Sequence, residues 1–112
     1  MFDTSVLDET LKKRKENLNS ERGDVLDKVT KTLNAIRGKY GVQEAYIIGS
    51  LLTAYRWNRS SDVDVAVSGC SGRVLDIMKV LEEGTGKVVD VVDLDSQPFP
   101  EAFKRKGLKI YG

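Results

Sequence analysis

Apolar residues recur along residues 5–39 at helical separations. Leu7, Leu11, Leu18, Val25, Val29, Leu33 and Ile36 fall on one stripe, which predicts an amphipathic helix. Lys12, Lys13, Arg14, Lys15, Glu16, Glu21 and Arg22 occupy the other faces. Asn17, Asn19, Ser20 and Gly23 weaken the middle. The stripe therefore fits either one long helix with a soft centre or two helices broken near residues 20–23. Gly38 and Gly41 are expected to end it.

Beyond this segment the pattern changes period. Residues 43–48, with Tyr46, Ile47 and Ile48, read as a strand. Gly49 and Ser50 mark a turn, and residues 51–57 are expected to form a short helix. Residues 58–61 are a polar loop. Residues 62–67 then alternate: Val63, Val65 and Val67 on one face, Asp62, Asp64 and Ala66 on the other. A loop over 68–72 leads to Val74, Leu75, Ile77, Met78 and Leu81 at helical spacing, with a stop at 84–86. Residues 87–94 read as an almost wholly apolar strand. Pro98 and Pro100 open a last short helix to about Lys106, and residues 108–111 suit a final edge strand. Strands alternating with helices predict an α/β (α+β) fold, a small mixed sheet with helices packed on it. The 112 residues are expected to form a single domain, 1–112.

Charge narrows the function. Lysine plus arginine number 18 against 17 aspartates and glutamates, a balance that argues against a nucleic-acid-binding role. Histidine is absent, which excludes histidine-based catalysis and the usual zinc sites. The one cysteine, Cys70, permits no intrachain disulfide and is expected to be a loop residue rather than a reactive thiol. No stretch is apolar enough to span a bilayer, and the first residues carry no basic-then-apolar signal. A cytoplasmic protein without membrane contact is the expectation.

The candidate chemistry lies in three carboxylates. Asp62 and Asp64, separated by one residue, point the same way from a strand. Asp90 stands between Val88-Val89 and Val91-Val92, and a charge there is unfavourable without a partner. If the three converge, each pair at ~4 Å and an effective dielectric of ~20 costs about 4 kcal/mol. A divalent cation removes that cost. Gly49 and Ser50 suit a phosphate: the glycine lets backbone approach, and N–H groups at a helix start favour anions.

Residues 47–67, which place Gly49-Ser50 before Ser61-Asp62-Val63-Asp64, resemble the signature of the DNA polymerase beta-like nucleotidyltransferase superfamily. Asp90 in Val89-Asp90-Val91-Val92 is similar to its third carboxylate. The likeness extends over nearly the whole chain, from the long first helix to the ending Phe103-Lys104-Arg105-Lys106-Gly107-Leu108-Lys109-Ile110-Tyr111, and is to the minimal nucleotidyltransferase members, of antitoxin type. It implies the nucleotidyltransferase fold and transfer of NMP, most plausibly AMP from ATP, to a hydroxyl. Asp62, Asp64 and Asp90 would be catalytic and would ligate Mg²⁺, one ion or two. Gly49, Ser50, Ser61 and Arg59 would bind the nucleotide. Where family members have Ala-Arg-Gly, this chain has Leu52, Thr53 and Ala54, so the arginine's help with phosphate either falls to Arg56 or Arg59 or is missing. The resemblance further implies a HEPN-domain partner, a toxin modified on a tyrosine.

Other readings of these residues remain at this stage. Asp62 and Asp64 also fit the wet face of a half-exposed strand, and Asp90 a buried ion pair with a lysine. Asp93 and Asp95 suit a strand end. Ser60 and Ser61 suit loop capping. Tyr55 and Trp57 fit either the core or stacking on a base. A catalytically idle chain that neutralises its partner by contact is the alternative function, and homo-oligomerisation is left open.

Overall fold

A computed structural model describes residues 5–53, 56–58, 60–70 and 72–112, with side chains in the first helix from residue 19 onward. The helix α1, Ser5–Ile36, is unbroken. The soft centre at 19–23 therefore bends to propagation: once the flanking turns exist, each further residue adds a hydrogen bond. The strand β1 (Glu44–Ile48) follows, then a one-turn 3-10 segment, Gly49–Leu52. Next come β2 (Val63–Ser68), the helix α2 (Val74–Thr85) and β3 (Val89–Asp93). A second 3-10 turn, Leu94–Ser96, leads to α3 (Pro100–Lys106) and β4 (Leu108–Tyr111).

The sheet has four strands in the order β3-β2-β1-β4. β1 is antiparallel to β2 and to β4, and β2 is parallel to β3, so the sheet is mixed. The parallel pair requires a crossover, which α2 supplies. Alternation sorts the side chains. Val63, Val65 and Val67 of β2, with Ala45 and Ile47 of β1, face a core completed by Val25, Val29, Leu33 and Ile36 of α1 and by Ile77 and Leu81 of α2. Gly84 lets the two helices close: a Cβ there would lie 2.8 Å from Thr32 Oγ1. Rather than stopping α2, Gly84 belongs to it, and Gly86, left-handed at φ 69, caps the end.

The opposite face holds a smaller apolar cluster of Tyr46, Ala66 and Leu94, with Phe103 of α3 packed against it. Lys104 fastens α3 to β1 through an ion pair with Glu44 at 3.0 Å, and Ser68 Oγ donates to the same carboxylate at 3.0 Å. These contacts hold Glu44 below the usual carboxylate range, the Lys104 hydrogen bond being the largest cause. β4 is tied to α1 by Tyr111, whose hydroxyl donates to the Leu33 carbonyl at 2.9 Å. Burial pushes the Tyr111 phenol up to about 12. Cys70 is buried, and desolvation raises its thiol to about 11, which makes it unreactive. Among the described residues, no helix is long and apolar enough to cross a membrane.

Two substitutions grade these contacts. Leu33→Ala, at a site with no exposure, should cost about 2–5 kcal/mol. Tyr111→Phe, which removes one hydroxyl, should cost about 0.5–1.5 kcal/mol. Urea denaturation of both variants measures the order; equal losses would contradict it.

Candidate functional site

Strand register determines what meets at one end of the sheet. β1 runs toward that end and finishes at Ile48, paired with Asp64. β2 and β3 run away from it, and their parallel register sets Asp64 directly beside Asp90. Both aspartates lie on the face that carries Ala66 and Val92, two residues further along, where the apolar cover of α3 has its centre. Gly49 therefore arrives next to Asp64. Its φ is +78, a left-handed backbone, and a Cβ on it would lie 2.5 Å from Asp64 Oδ2. Glycine is required here twice, by conformation and by the neighbouring carboxylate.

Asp64 is half-buried and holds its proton to a higher pH than an ordinary aspartate. Burial is the largest cause, followed by the charges of Asp90 and then Asp62; a hydrogen bond from the protonated form to Asp90 adds to it. Asp90 is exposed, not enclosed by its valines. β3 is an edge strand, and only Val89 of its apolar residues is fully buried. The lysine-paired interior position considered from the sequence thus does not occur. Asp62 is exposed and precedes the first residue of β2. Among the described residues, no three acidic, cysteine or histidine side chains are gathered as a ready-made metal-ligand set. The close pair is Asp64–Asp90, with Asp62 acting on it through charge. Donor chemistry of this kind fits Mg²⁺, which takes one or two carboxylates and completes its shell with water and substrate phosphates.

Of the short helix expected over 51–57, residues 54 and 55 lie outside the described residues, and the described ones are not α-helical. The 3-10 segment Gly49–Leu52 stands in its place, and the chain returns to extended conformation at Thr53 (φ −127, ψ 111). A β-branched residue there suits the extended state. The N–H groups that open such a turn have no partner within it. Ser50 is half-buried in this turn. Arg56 is exposed. Arg59 and Tyr55 lie outside the described residues. Trp57 belongs to the core, 3% exposed, with the Lys87 ammonium 5.0 Å from its ring centre; the base-stacking alternative does not apply to it.

The loop leading to Asp62 is organised by Asn58, which sequence reasoning passed over. Its Oδ1 accepts from Ser60 N at 2.8 Å, and its own N–H donates to Ser61 Oγ at 2.9 Å. An asparagine before two serines carries that turn signal. Ser61 is thereby engaged in shaping the loop. Asp93 and Asp95 sit at the far end of the sheet. Asp93 accepts from Asp95 N at 3.1 Å, and Asp95 accepts from Gly69 N at 2.7 Å. Arg22 of α1 also reaches the site region, donating from Nη1 to the Leu51 carbonyl at 2.9 Å. Nothing in its sequence context distinguishes it from the charged residues around it.

The raised titration of Asp64 has a defined effect on stability. Between the ordinary carboxylate range and the raised value, the folded chain binds more protons than the unfolded chain. Stability therefore falls as pH rises through that window and stays lower above it. Asp64→Asn should flatten this descent and melt at or above the wild-type temperature at neutral pH; thermal melts across pH 3–8 would refute it if the descent persisted unchanged. Gly49→Ala should cost about 1–2 kcal/mol for the left-handed backbone alone. Its steric part depends on Asp64, so Gly49→Ala and Asp64→Ala should show a coupling of about 0.5–3 kcal/mol in a double-mutant cycle. Strict additivity would show that the two residues do not press on one another.

No protein-family profile matches the sequence, and no curated protein matches it. Solved structures do. A chain of a toxin–antitoxin crystal structure with AMP-PNP is 21% identical, with a TM-score of 0.61, over 74% of this chain and 73% of that one. A chain of the toxin–antitoxin MntA-HepT is 20% identical with a TM-score of 0.52, over 84% and 72%. A chain from the complex of a tri-AMPylated Shewanella oneidensis HEPN toxin with an MNT antitoxin is 18% identical with a TM-score of 0.50, over 85% and 72%. What is shared with these chains at such identities is the fold, here a four-stranded mixed sheet with helices packed on it.

Proposed function

We propose that this chain is a minimal nucleotidyltransferase of the antitoxin type, acting as one domain, which uses Mg²⁺ to transfer AMP from ATP to a tyrosine hydroxyl of a HEPN-type toxin. The observation that carries the reading is the packing of the Gly49 turn against Asp64, beside Asp90. A glycine turn packed against a repelling carboxylate pair is an arrangement whose charge a cation-bridged triphosphate would offset. The fold likeness to a toxin–antitoxin chain crystallised with AMP-PNP supports the same choice of ligand. Support for the acceptor comes from the AMPylated HEPN toxin in another of these complexes.

In this reading Asp62 and Asp64 would hold the cation, which would offset the charge of the triphosphate and of the leaving pyrophosphate. The open N–H groups at Gly49 and Ser50, and the Ser50 hydroxyl, take phosphate oxygens. Arg59 and Ser61, at the loop before Asp62, complete the nucleotide contacts. The acceptor oxygen forms a bond to the α-phosphorus as the bond to the pyrophosphate oxygen breaks. Asp90, exposed and beside Asp64, would either hold a second ion or receive the acceptor's proton and pass it to water. A cytoplasmic setting agrees with ATP as donor and with a single unpaired cysteine.

The test is label transfer. Wild-type protein, Mg²⁺, α-labelled ATP and the HEPN partner should yield labelled partner, and Asp64→Asn should reduce the rate at least about 10²-fold. Mg²⁺ with ATP should also raise the melting temperature of the wild type and not that of Asp62→Asn/Asp64→Asn. A wild-type chain that neutralises its partner yet transfers no label from any nucleotide would favour the contact-only alternative.

A further inference from the structure

We infer that Arg22 of α1 is a positioning residue for the phosphate end of the nucleotide site, holding the Gly49–Leu52 turn in the shape that presents Ser50 to a triphosphate. This rests on the proposed reading of that turn as nucleotide-binding.

The turn has little to hold it by itself. It is four residues long and follows Ile48, which supplies no side-chain cap. It closes with Thr53 N donating to the Ser50 carbonyl at 3.1 Å. Short 3-10 segments have poor hydrogen-bond geometry, and this one starts from a left-handed glycine. Two anchors come from elsewhere, and both act through Leu51. Its side chain is fully buried in the core. Its carbonyl accepts from Arg22 Nη1 at 2.9 Å, across 29 residues of sequence.

The arginine is held at a cost that packing alone does not explain. Its Nε is buried and has no hydrogen-bond partner. An unpaired buried donor is unfavourable, and a methionine of similar length would fill the same space without one. What the guanidinium adds is a rigid, permanently charged donor. It fixes the carbonyl next in sequence to Ser50 and brings positive charge to the α1 side of the turn. Asp64 stands on the other side, against Gly49. The turn is thus tied to α1 through the Leu51 carbonyl and packed against β2 through Gly49.

The experiment compares wild type with Arg22→Met and Arg22→Gln in two readouts. Calorimetry with Mg²⁺ should show ATP affinity reduced tenfold or more in Arg22→Met, with adenosine affinity changed less than twofold. Hydrogen exchange should show the Thr53 amide exchanging at least tenfold faster, with the Val65 amide of β2 unchanged. Arg22→Gln, which keeps a donor amide, should move in the same directions by less, and it decides the matter if Arg22→Met does not fold. A folded variant with wild-type ATP affinity or wild-type Thr53 exchange would overturn the inference. So would equal losses for ATP and adenosine, since those would indicate a general collapse of the site. Should the wild type itself bind no ATP, the proposed function falls, and Thr53 exchange alone then decides whether Arg22 holds the turn.

Discussion

The site end of this molecule is organised around one crowded carboxylate. Asp64 lies on the central strand β2, with Asp90 abreast of it on β3 and the Cα of Gly49 against its oxygen. Neither neighbour is adjacent in sequence; both are brought in by hydrogen-bonded register. The parallel β2–β3 ladder aligns two acids that repel, and the apolar burial on the core side enforces that alignment. A slip of one residue would turn Val63, Val65 and Val67 out of the core. The hydrophobic face thus imposes an electrostatically unfavourable pairing on the other face. That pairing adds to the burial that raises the proton affinity of Asp64.

That arrangement explains why the sheet is clothed unequally. On one face α1 and α2 bury the valines completely. On the other, α3 and the Leu94 turn cover Tyr46 and Ala66, and Phe103 and Lys104 pin α3 in place. The cover is centred away from the Asp64–Asp90 end, and Asp90 remains exposed. The Asp64 end of the sheet is thus an open margin beside a buried strand, β2.

The long first helix has two roles in the described structure. Its second half supplies core side chains, and it also reaches past them to the edges of the sheet. The Leu33 carbonyl receives Tyr111 from β4, and Arg22 grips the turn after β1. The same helix therefore links the outer strand and the Gly49–Leu52 turn to one rigid element. A shift in α1 would be felt at both.

The elements of this fold were largely legible because its periods are clean. The valine alternation of β2, the helical spacing of α1 and α2, and the proline opening of α3 reflect local geometry that sequence alone imposes. So does the clustering of acids with a glycine-serine turn, which singled out Asp62, Asp64, Asp90 and Gly49. Contacts between distant segments were not legible. Sequence pointed to Gly49 for its freedom of approach to phosphate, whereas register showed that it first makes room for Asp64. Asp90 looked enclosed by valines, and its place on an edge strand left it exposed. The segment after Ser50 carried a helical composition, but Leu51 is buried in the core and Thr53 is extended, and the described residues there form a 3-10 turn. Arg22 was one charge among many until the fold set it against the Leu51 carbonyl. Periodicity and chemical type are properties of neighbouring residues and can be read along the chain; register, edge position and long-range hydrogen bonds depend on which surfaces bury one another, and only the packed structure decides them.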